Sequence, residues 1–289
     1  MPRWLNLLKS ISSLVTTSGE TEVASINAEQ ARSLLNTDPE IQIVDVRQPK
    51  EYRQGHLPGA RLLPVADLDE KLDVLSRDRP VLVYCAIGGR SKVAAHMLAG
   101  RGFTKVLNLS GGFKAWNGWT GFGDYDLGLD HFAPSMPLEQ ALHAAYLMEA
   151  ALEAFYREMA GKTADPEAVR LFQTLADVEV KHKAAVARRM EDAAVPENQD
   201  DTAVPEGGVP LEEHMRRLGV DLNRTEDIVD LAMAVEAQAL DLYSRAAFQA
   251  QGDVQAFLQS MAAEEKSHLR RLGDLLGQEE GQVFSKSIS

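Results

Sequence analysis

The pattern of apolar and polar positions changes period once along the chain. Before about residue 120, short apolar runs, Ile41–Val46, Ala60–Val65, Val81–Cys85 and Val106–Leu109, alternate with stretches of helical spacing near 27–36, 67–76 and 90–101. That alternation predicts a parallel sheet with crossover helices. Asn27 can cap the first helix, and Gly55 with Pro58-Gly59 punctuates the loop before the Ala60 run. After Trp119 the stretch Thr120–Asp130 is rich in glycine and lacks helical period, as a linker would. Beyond it, apolar residues recur at i, i+3 and i+4 in sequence rich in Ala, Leu and Glu, the pattern of long amphipathic helices. Four are expected, at about 137–161, 165–193, 225–251 and 253–276, with Pro137 and Pro166 in first-turn positions, Gly252 at a break and Gly277 after the last. The Pro-, Gly- and acid-rich segment Val195–Pro210, followed by a short helix over 211–218, has the length of a crossover in a four-helix bundle.

The expected fold class is therefore two domains, an α/β unit with a parallel sheet followed by an all-α four-helix bundle. Its expected boundaries are 1–19 as an amphipathic N-terminal segment, 20–119, a linker over 120–136, the bundle over 137–277, and a tail over 278–289. In the first segment Trp4, Leu7, Leu8, Ile11, Leu14 and Val15 form an apolar helical stripe. It can pack on its own protein or a dimer partner, or lie on a membrane surface; only Arg3 and Lys9 supply positive charge, which favours packing. Lys9 also interrupts any secretory apolar run and no cleavage site follows, so a cytoplasmic location is expected, where a free thiol is sustainable.

Composition narrows the chemistry. The net charge is −13, divided as +3 over residues 1–120 and −16 beyond, which argues against binding the phosphates of nucleic acid. The excess carboxylates either form a solvated helical face or turn inward onto a metal. No apolar run reaches the length of a membrane span, so no integral membrane association is expected. A single cysteine, Cys85, excludes an intramolecular disulfide and any four-cysteine metal site within one chain.

Cys85 ends an apolar run and is followed by Ala86-Ile87-Gly88-Gly89-Arg90-Ser91 and then helical sequence. Ligands of parallel sheets sit beyond the carboxyl ends of the strands. The two glycines let the backbone curl so that successive N–H groups point at one sulfur, beside the positive end of a helix, which favours a thiolate nucleophile. Arg90 can hold an anionic substrate or brace the loop. The alternative is a buried structural cysteine.

Four ordered stretches carry a resemblance: Asp45-Val-Arg47, Glu51–Ala60, Cys85–Ser91 and Leu109–Trp116. Over about residues 20–120 the chain resembles the rhodanese (sulfurtransferase) domain. The resemblance implies that Cys85 accepts a sulfane sulfur as a persulfide and passes it to a thiophilic acceptor, with Ala86, Ile87, Gly88, Gly89, Arg90 and Ser91 forming the cradle. Related arsenate-reducing and phosphatase loops have one more residue between Cys and Arg, so the four here imply sulfur rather than phosphate. Asp45, Arg47, Glu51 and His56 are expected to support the loop.

In the second half, Glu149 and Glu236 lie in the first and third expected helices, each seven residues before a tyrosine, Tyr156 and Tyr243. The second and fourth carry Glu179-Val-Lys-His182 and Glu265-Lys-Ser-His268. The spacing from Glu149 to Glu179 nearly repeats from Glu236 to Glu265, an internal two-fold scheme. One Glu from each of two helices and Glu-x-x-His from the other two give six ligands that can converge on two metal ions in a bundle core. Residues 137–276 thus resemble the ferritin-like family, of the rubrerythrin or erythrin branch. That resemblance implies two non-haem iron ions, manganese being the alternative, that reduce peroxide or oxygen, with no haem and no rubredoxin-type iron. Electrons would come from an external donor, and a homodimer is expected. Tyr156 and Tyr243 either pack or support the ligands. His131, His143, His214, Glu153 and Glu264 fall outside the scheme and are expected at the surface or in linkers, while Ala239 stands where many rubrerythrins have a further Glu. The alternative function is an iron-binding, storage or sensing protein with a sulfur-responsive cysteine.

Overall fold

The computed structural model describes residues 23–192 and 206–275. The N-terminal stripe, the tail, Gly277 and residues 195–205 of the expected crossover lie outside the described residues. The chain divides into two units, one running to Gly118 and including Phe122–Tyr125, the other comprising Trp119–Gly121 and the chain from Asp126. Residues 120–136, the expected linker, are shared between them, and Phe132 within that stretch is buried in the core of the second unit.

The first unit holds five parallel strands, β1 (Val23–Ile26), β2 (Gln42–Asp45), β3 (Arg61–Leu62), β4 (Val81–Tyr84) and β5 (Val106–Leu109), in the order β1-β5-β4-β2-β3. Every residue of the central strands β4 and β5 is buried, as expected for strands covered on both faces. Connecting helices are α1 (Ala28–Thr37), α2 (Pro49–Gln54), α3 (Gly89–Gly100) and α4 (Gly112–Ala115). Asn27 caps α1 in a reciprocal box with Gln30. The helix expected over 67–76 is instead two short 3-10 turns, Leu68–Glu70 and Leu72–Val74. Leu68, Leu72 and Leu75 are buried as a helical period would bury them. The run is too short to propagate a helix, however, and Asp67, Asp69 and Asp73 are poor helix formers.

The second unit is helical: α5 (Leu138–Lys162), α6 (Pro166–Asp192), α7 (Leu211–Leu218), α8 (Thr225–Gln249) and α9 (Gly252–Leu275). α5 packs on α6 and α8 on α9. Two apolar clusters fill the bundle. One joins the N-terminal half of α5 and the C-terminal end of α6 to the C-terminal half of α8 and the start of α9; the other joins the remaining halves. α6 therefore ends at the end of the bundle opposite to where α8 begins, which is why the connection between them must be long. Within α8 the Arg245 guanidinium, fully buried, bonds Asp241 at 2.8 Å and donates to the Leu127 carbonyl at 3.1 Å.

His214 departs from its expected surface position: it is buried in α7 at 1% exposure. Burial, aided by the Arg217 charge, pulls its imidazole down to about 4 from 6.5. Between those values the unfolded chain binds a proton that the folded chain refuses, so this residue's contribution is intact at neutral pH and is lost as pH falls from 6.5 toward 4. The full linkage is worth about 3 kcal/mol. In urea unfolding, the stability lost between pH 7 and about pH 4.5 should be roughly 2–3 kcal/mol smaller in His214→Gln than in the wild type. Equal losses in the two proteins would contradict the assignment.

Candidate functional site

Cys85 follows the last residue of β4 and is buried. Its sulfur lies 3.1 Å from the Gly88 nitrogen. Burial would raise the thiol, but hydrogen bonds from the Ser91 hydroxyl and from the N–H groups of Ser91, Ile87 and Gly88 outweigh it and hold Cys85 below the ordinary thiol range. The curl that aims these groups depends on glycine. Gly88 has φ of +95°, and Gly112, with φ of +58°, packs so closely that a Cβ there would run into the Cys85 carbonyl oxygen and stand 2.8 Å from the Ala86 carbonyl carbon. The N–H groups of Phe113 and Lys114 donate to the carbonyls of Cys85 and Ala86 at 2.7 and 2.9 Å, tying the loop to α4. Sequence reasoning gives Gly112 no role of its own; the Gly111-Gly112 pair just after a strand is its signal.

The Arg90 guanidinium donates to both oxygens of Glu51 at 2.7 and 2.8 Å, a contact that braces the loop. Asp45 and Arg47 form a buried pair at 2.7 Å, and Arg47 also donates to the Gly55 carbonyl and lies 4.3 Å from the Phe113 ring centroid. His56 stacks on Tyr52 at 3.6 Å with its Nδ1 2.9 Å from the Tyr52 carbonyl oxygen. Ile87, at the loop's tip, is 70% exposed, and Gly89 opens α3.

In the bundle the six predicted ligands gather as two groups, Glu149, Glu179 and His182 on α5 and α6, and Glu236, Glu265 and His268 on α8 and α9, the ligand atoms of each lying within 4.8 Å of one another. The groups repeat each other closely. His182 Nδ1 is 2.9 Å from Glu179 and 3.3 Å from Glu149, and His268 Nδ1 is 3.1 Å from Glu265 and 3.3 Å from Glu236. They meet through the two imidazoles, stacked at 3.9 Å. All six residues fall at the junction of the two apolar clusters, sealed on either side.

Electrostatics inside this cluster are correspondingly strong. Burial, with the charges of Glu236 and Glu149, pushes Glu179 well above the carboxylate range. Burial opposes protonation of His182, yet its bonds to Glu149 and Glu179 push it up to about 10. Glu236 is buried as well, but hydrogen bonds with Glu265 and His268 and its electrostatic interaction with the two histidines hold it low.

Tyr243 lies in the core, its hydroxyl 3.7 Å from Met148 Sδ and its ring edge-on to Phe132. Tyr156 is buried among Phe155 and Phe172. Glu153 pairs with Lys183 at 2.5 Å and Arg157 at 2.8 Å, and Glu264 lies 3.7 Å from Arg189. Ala239 is buried in the first apolar cluster.

Comparison with known proteins agrees with both halves of this geometry. A rhodanese-like domain model matches residues 27–118 and a rubrerythrin model matches residues 130–190. The chain is 36% identical over 94 residues to a sulfurtransferase of Allochromatium vinosum, covering 32% of this chain and 88% of that protein. It is 35% identical over 96 residues to the thiosulfate sulfurtransferase GlpE of Ectopseudomonas mendocina, covering 33% and 86%. It is 43% identical over 77 residues to the uncharacterized protein YqhL of Bacillus subtilis, covering 27% of this chain and 61% of that one. The chain thus combines a rhodanese-like α/β domain with a helical domain that is similar to rubrerythrin over residues 130–190. Through residues 27–118 it belongs to the rhodanese-like family, and the rubrerythrin match falls on α5 and most of α6 of its helical unit. Among the described residues no helix is long and apolar enough to cross a membrane.

Proposed function

We propose that the protein is a sulfurtransferase that carries sulfane sulfur as a persulfide on Cys85, coupled to a non-haem di-iron site that reduces peroxide or oxygen. The observation that carries this reading is the pair of matching Glu-Glu-His groups packed face to face between apolar clusters. The residues fit a two-metal centre. Among the described residues Glu179 Oε1 is buried with no hydrogen-bond partner, an atom left for a cation, and four carboxylates with two imidazoles form a donor set suited to iron or manganese. A di-iron pair held there would supply two electrons to peroxide or oxygen and be recharged by an external donor.

The chain's own residues do the rest. Glu149, Glu179 and His182 would hold one ion and Glu236, Glu265 and His268 the other, while Met148, Leu152, Ala176 and Met261 keep bulk water away. Tyr156 and Tyr243 frame the cluster through packing. In the α/β unit, the Cys85 thiolate attacks the outer sulfur of a sulfane donor, the donor's remaining thiolate or sulfite leaves, and the N–H groups of the loop bind the negative charge on the new terminal sulfur. A thiophilic acceptor then attacks that sulfur and Cys85 departs as thiolate. Arg90 takes part by fixing the loop through Glu51. Location in the cytoplasm and assembly as a homodimer belong to the same proposal.

The enzyme reading and the storage or sensing alternative separate in one experiment. With excess peroxide and a reductant, the reduced iron-loaded protein should turn over many times, read by stopped-flow absorbance and peroxide consumption. A single oxidation followed by arrest would mark a sensor or store instead.

A further inference from the structure

The six ligands repeat across the internal two-fold of the bundle, but the residues just outside them do not. On α5, Glu153 stands one turn after Glu149, so the two share a face. Its carboxylate pairs with Lys183, the residue after His182, at 2.5 Å and with Arg157 at 2.8 Å, and the Lys183 ammonium lies 5.8 Å from the Tyr146 ring centroid. Glu153 and Lys183 both reach water, their side chains 13% and 25% exposed. At the matching positions around Glu236 and His268 the charges are gone: Leu240 stands for Glu153, Leu269 for Lys183, Met233 for Tyr146 and Ser244 for Arg157. Leu269 and Met233 are buried, and Leu240 packs in one apolar cluster with them and with Leu211, Met215 and Leu218 of α7, the helix that lies on α8. Exposure divides the same way on the neighbouring face. Val180, one residue after Glu179, is exposed, whereas Lys266, one residue after Glu265, is half-buried.

We propose that the two ion sites are inequivalent: the α5–α6 seam, lined by Glu153, Lys183 and Tyr146, is the route by which metal ions enter and leave, and Glu149, Glu179 and His182 hold the exchangeable ion. The inference rests on the two-metal reading. A ligand group that lets go of an ion must be hydrated as it does so, because an unpaired polar or charged group among apolar side chains is costly. Water reaches the first group along the Glu153–Lys183 pair, and Glu153 offers an incoming cation a carboxylate one turn short of Glu149. On the α8–α9 side the corresponding positions offer Leu240, Leu269 and Met233, which neither hydrate a departing ligand nor hold a cation on its way. The ligands themselves are buried to nearly the same degree in the two groups, the His182 side chain 11% and the His268 side chain 9% exposed, so the difference lies in what surrounds them.

The test is the release of ferrous iron from the full chain, loaded under anaerobic conditions, to the chelator ferrozine, followed by the absorbance of the chelate. The wild type should release its iron in two phases of about one ion per chain each, the first about tenfold or more faster than the second. Glu153→Leu combined with Lys183→Leu copies the Leu240 and Leu269 pattern into the seam, and should slow the first phase by about tenfold or more while the second keeps its rate. Glu153→Ala covers the case in which the double variant fails to fold; it removes the anchor of Lys183 and widens the seam, and should speed the first phase alone, several-fold. A single phase for both ions, a folded double variant whose first phase is not slowed, a Glu153→Ala variant whose first phase is not faster, or a seam variant that moves both phases together overturns the proposal. Iron content measured before the chelator is added judges the two-metal reading separately: less than one ion per chain refutes that reading and the inference with it, whereas two ions that leave together refute the inequivalence alone.

Discussion

Glu179→Gln is expected to lower bound iron from about two ions per chain to one or none, measured by metal analysis after loading with ferrous iron and gel filtration. Glu179 is the strongest choice among the six residues because it bridges the scheme. Its Oε2 bonds His182 at 2.9 Å, its Oε1 is the orphaned buried oxygen, and the charges of Glu149 and Glu236 both act on it. Removing an outer partner of a metal ligand typically costs 10–100-fold in affinity, and removal of a ligand should cost more. The amide keeps the shape of the carboxylate, so far-UV circular dichroism should not change. Sulfur transfer should be unchanged, because Cys85 belongs to a separate folded unit. If Glu179→Gln retained two tightly bound ions, the ligand scheme would be wrong.

Cys85→Ala should abolish transfer of sulfane sulfur from thiosulfate to cyanide, a loss of at least about 10³-fold followed by thiocyanate formation, and leave the iron content at its wild-type value. Mass spectrometry of the wild-type protein after the donor alone should find one added sulfur atom, absent from the variant. Cys85 is the chain's sole cysteine, so no second thiol can take over. Transfer that survives in Cys85→Ala would remove the carrier role.

Legibility in the sequence followed the length of each pattern. The four long helices were readable because an apolar period sustained over some 25 residues admits one secondary structure, and those of their ends that lie inside the described residues fall within about two residues of expectation. The paired Glu and Glu-x-x-His positions were readable for the same reason, since helical period fixes which residues share a face. Shorter elements were not. β1, Val-Ala-Ser-Ile, carries too few apolar residues to stand out, and α2 has six residues, less than two turns. The Leu68, Leu72 and Leu75 spacing imitated a helix where the chain makes two 3-10 turns.

Burial of polar groups was the least legible level. His214 is expected at the surface or in a linker, and nothing in the sequence sets the Asp241–Arg245 pair apart from the i, i+4 pairs of exposed helical faces, yet all three residues are buried. A helix's period tells which residues share a face and not which segment later covers it. In this bundle Arg245 reaches the Leu127 carbonyl, from a stretch that reads as linker. Asn108 is illegible for a related reason: in a buried strand one polar residue among Val, Leu and Leu looks like a blemish until β1 brings Ser25, and α3 brings Ser91, within hydrogen-bond distance.

The central claim is that the bundle is a two-metal site, and the most direct measurement is metal content with visible absorption after anaerobic loading with ferrous iron. About two iron ions per chain, with a new visible band on exposure to peroxide, is the predicted result. Less than one ion per chain, with no spectral change, would make the buried Glu and His residues a structural core and contradict the account.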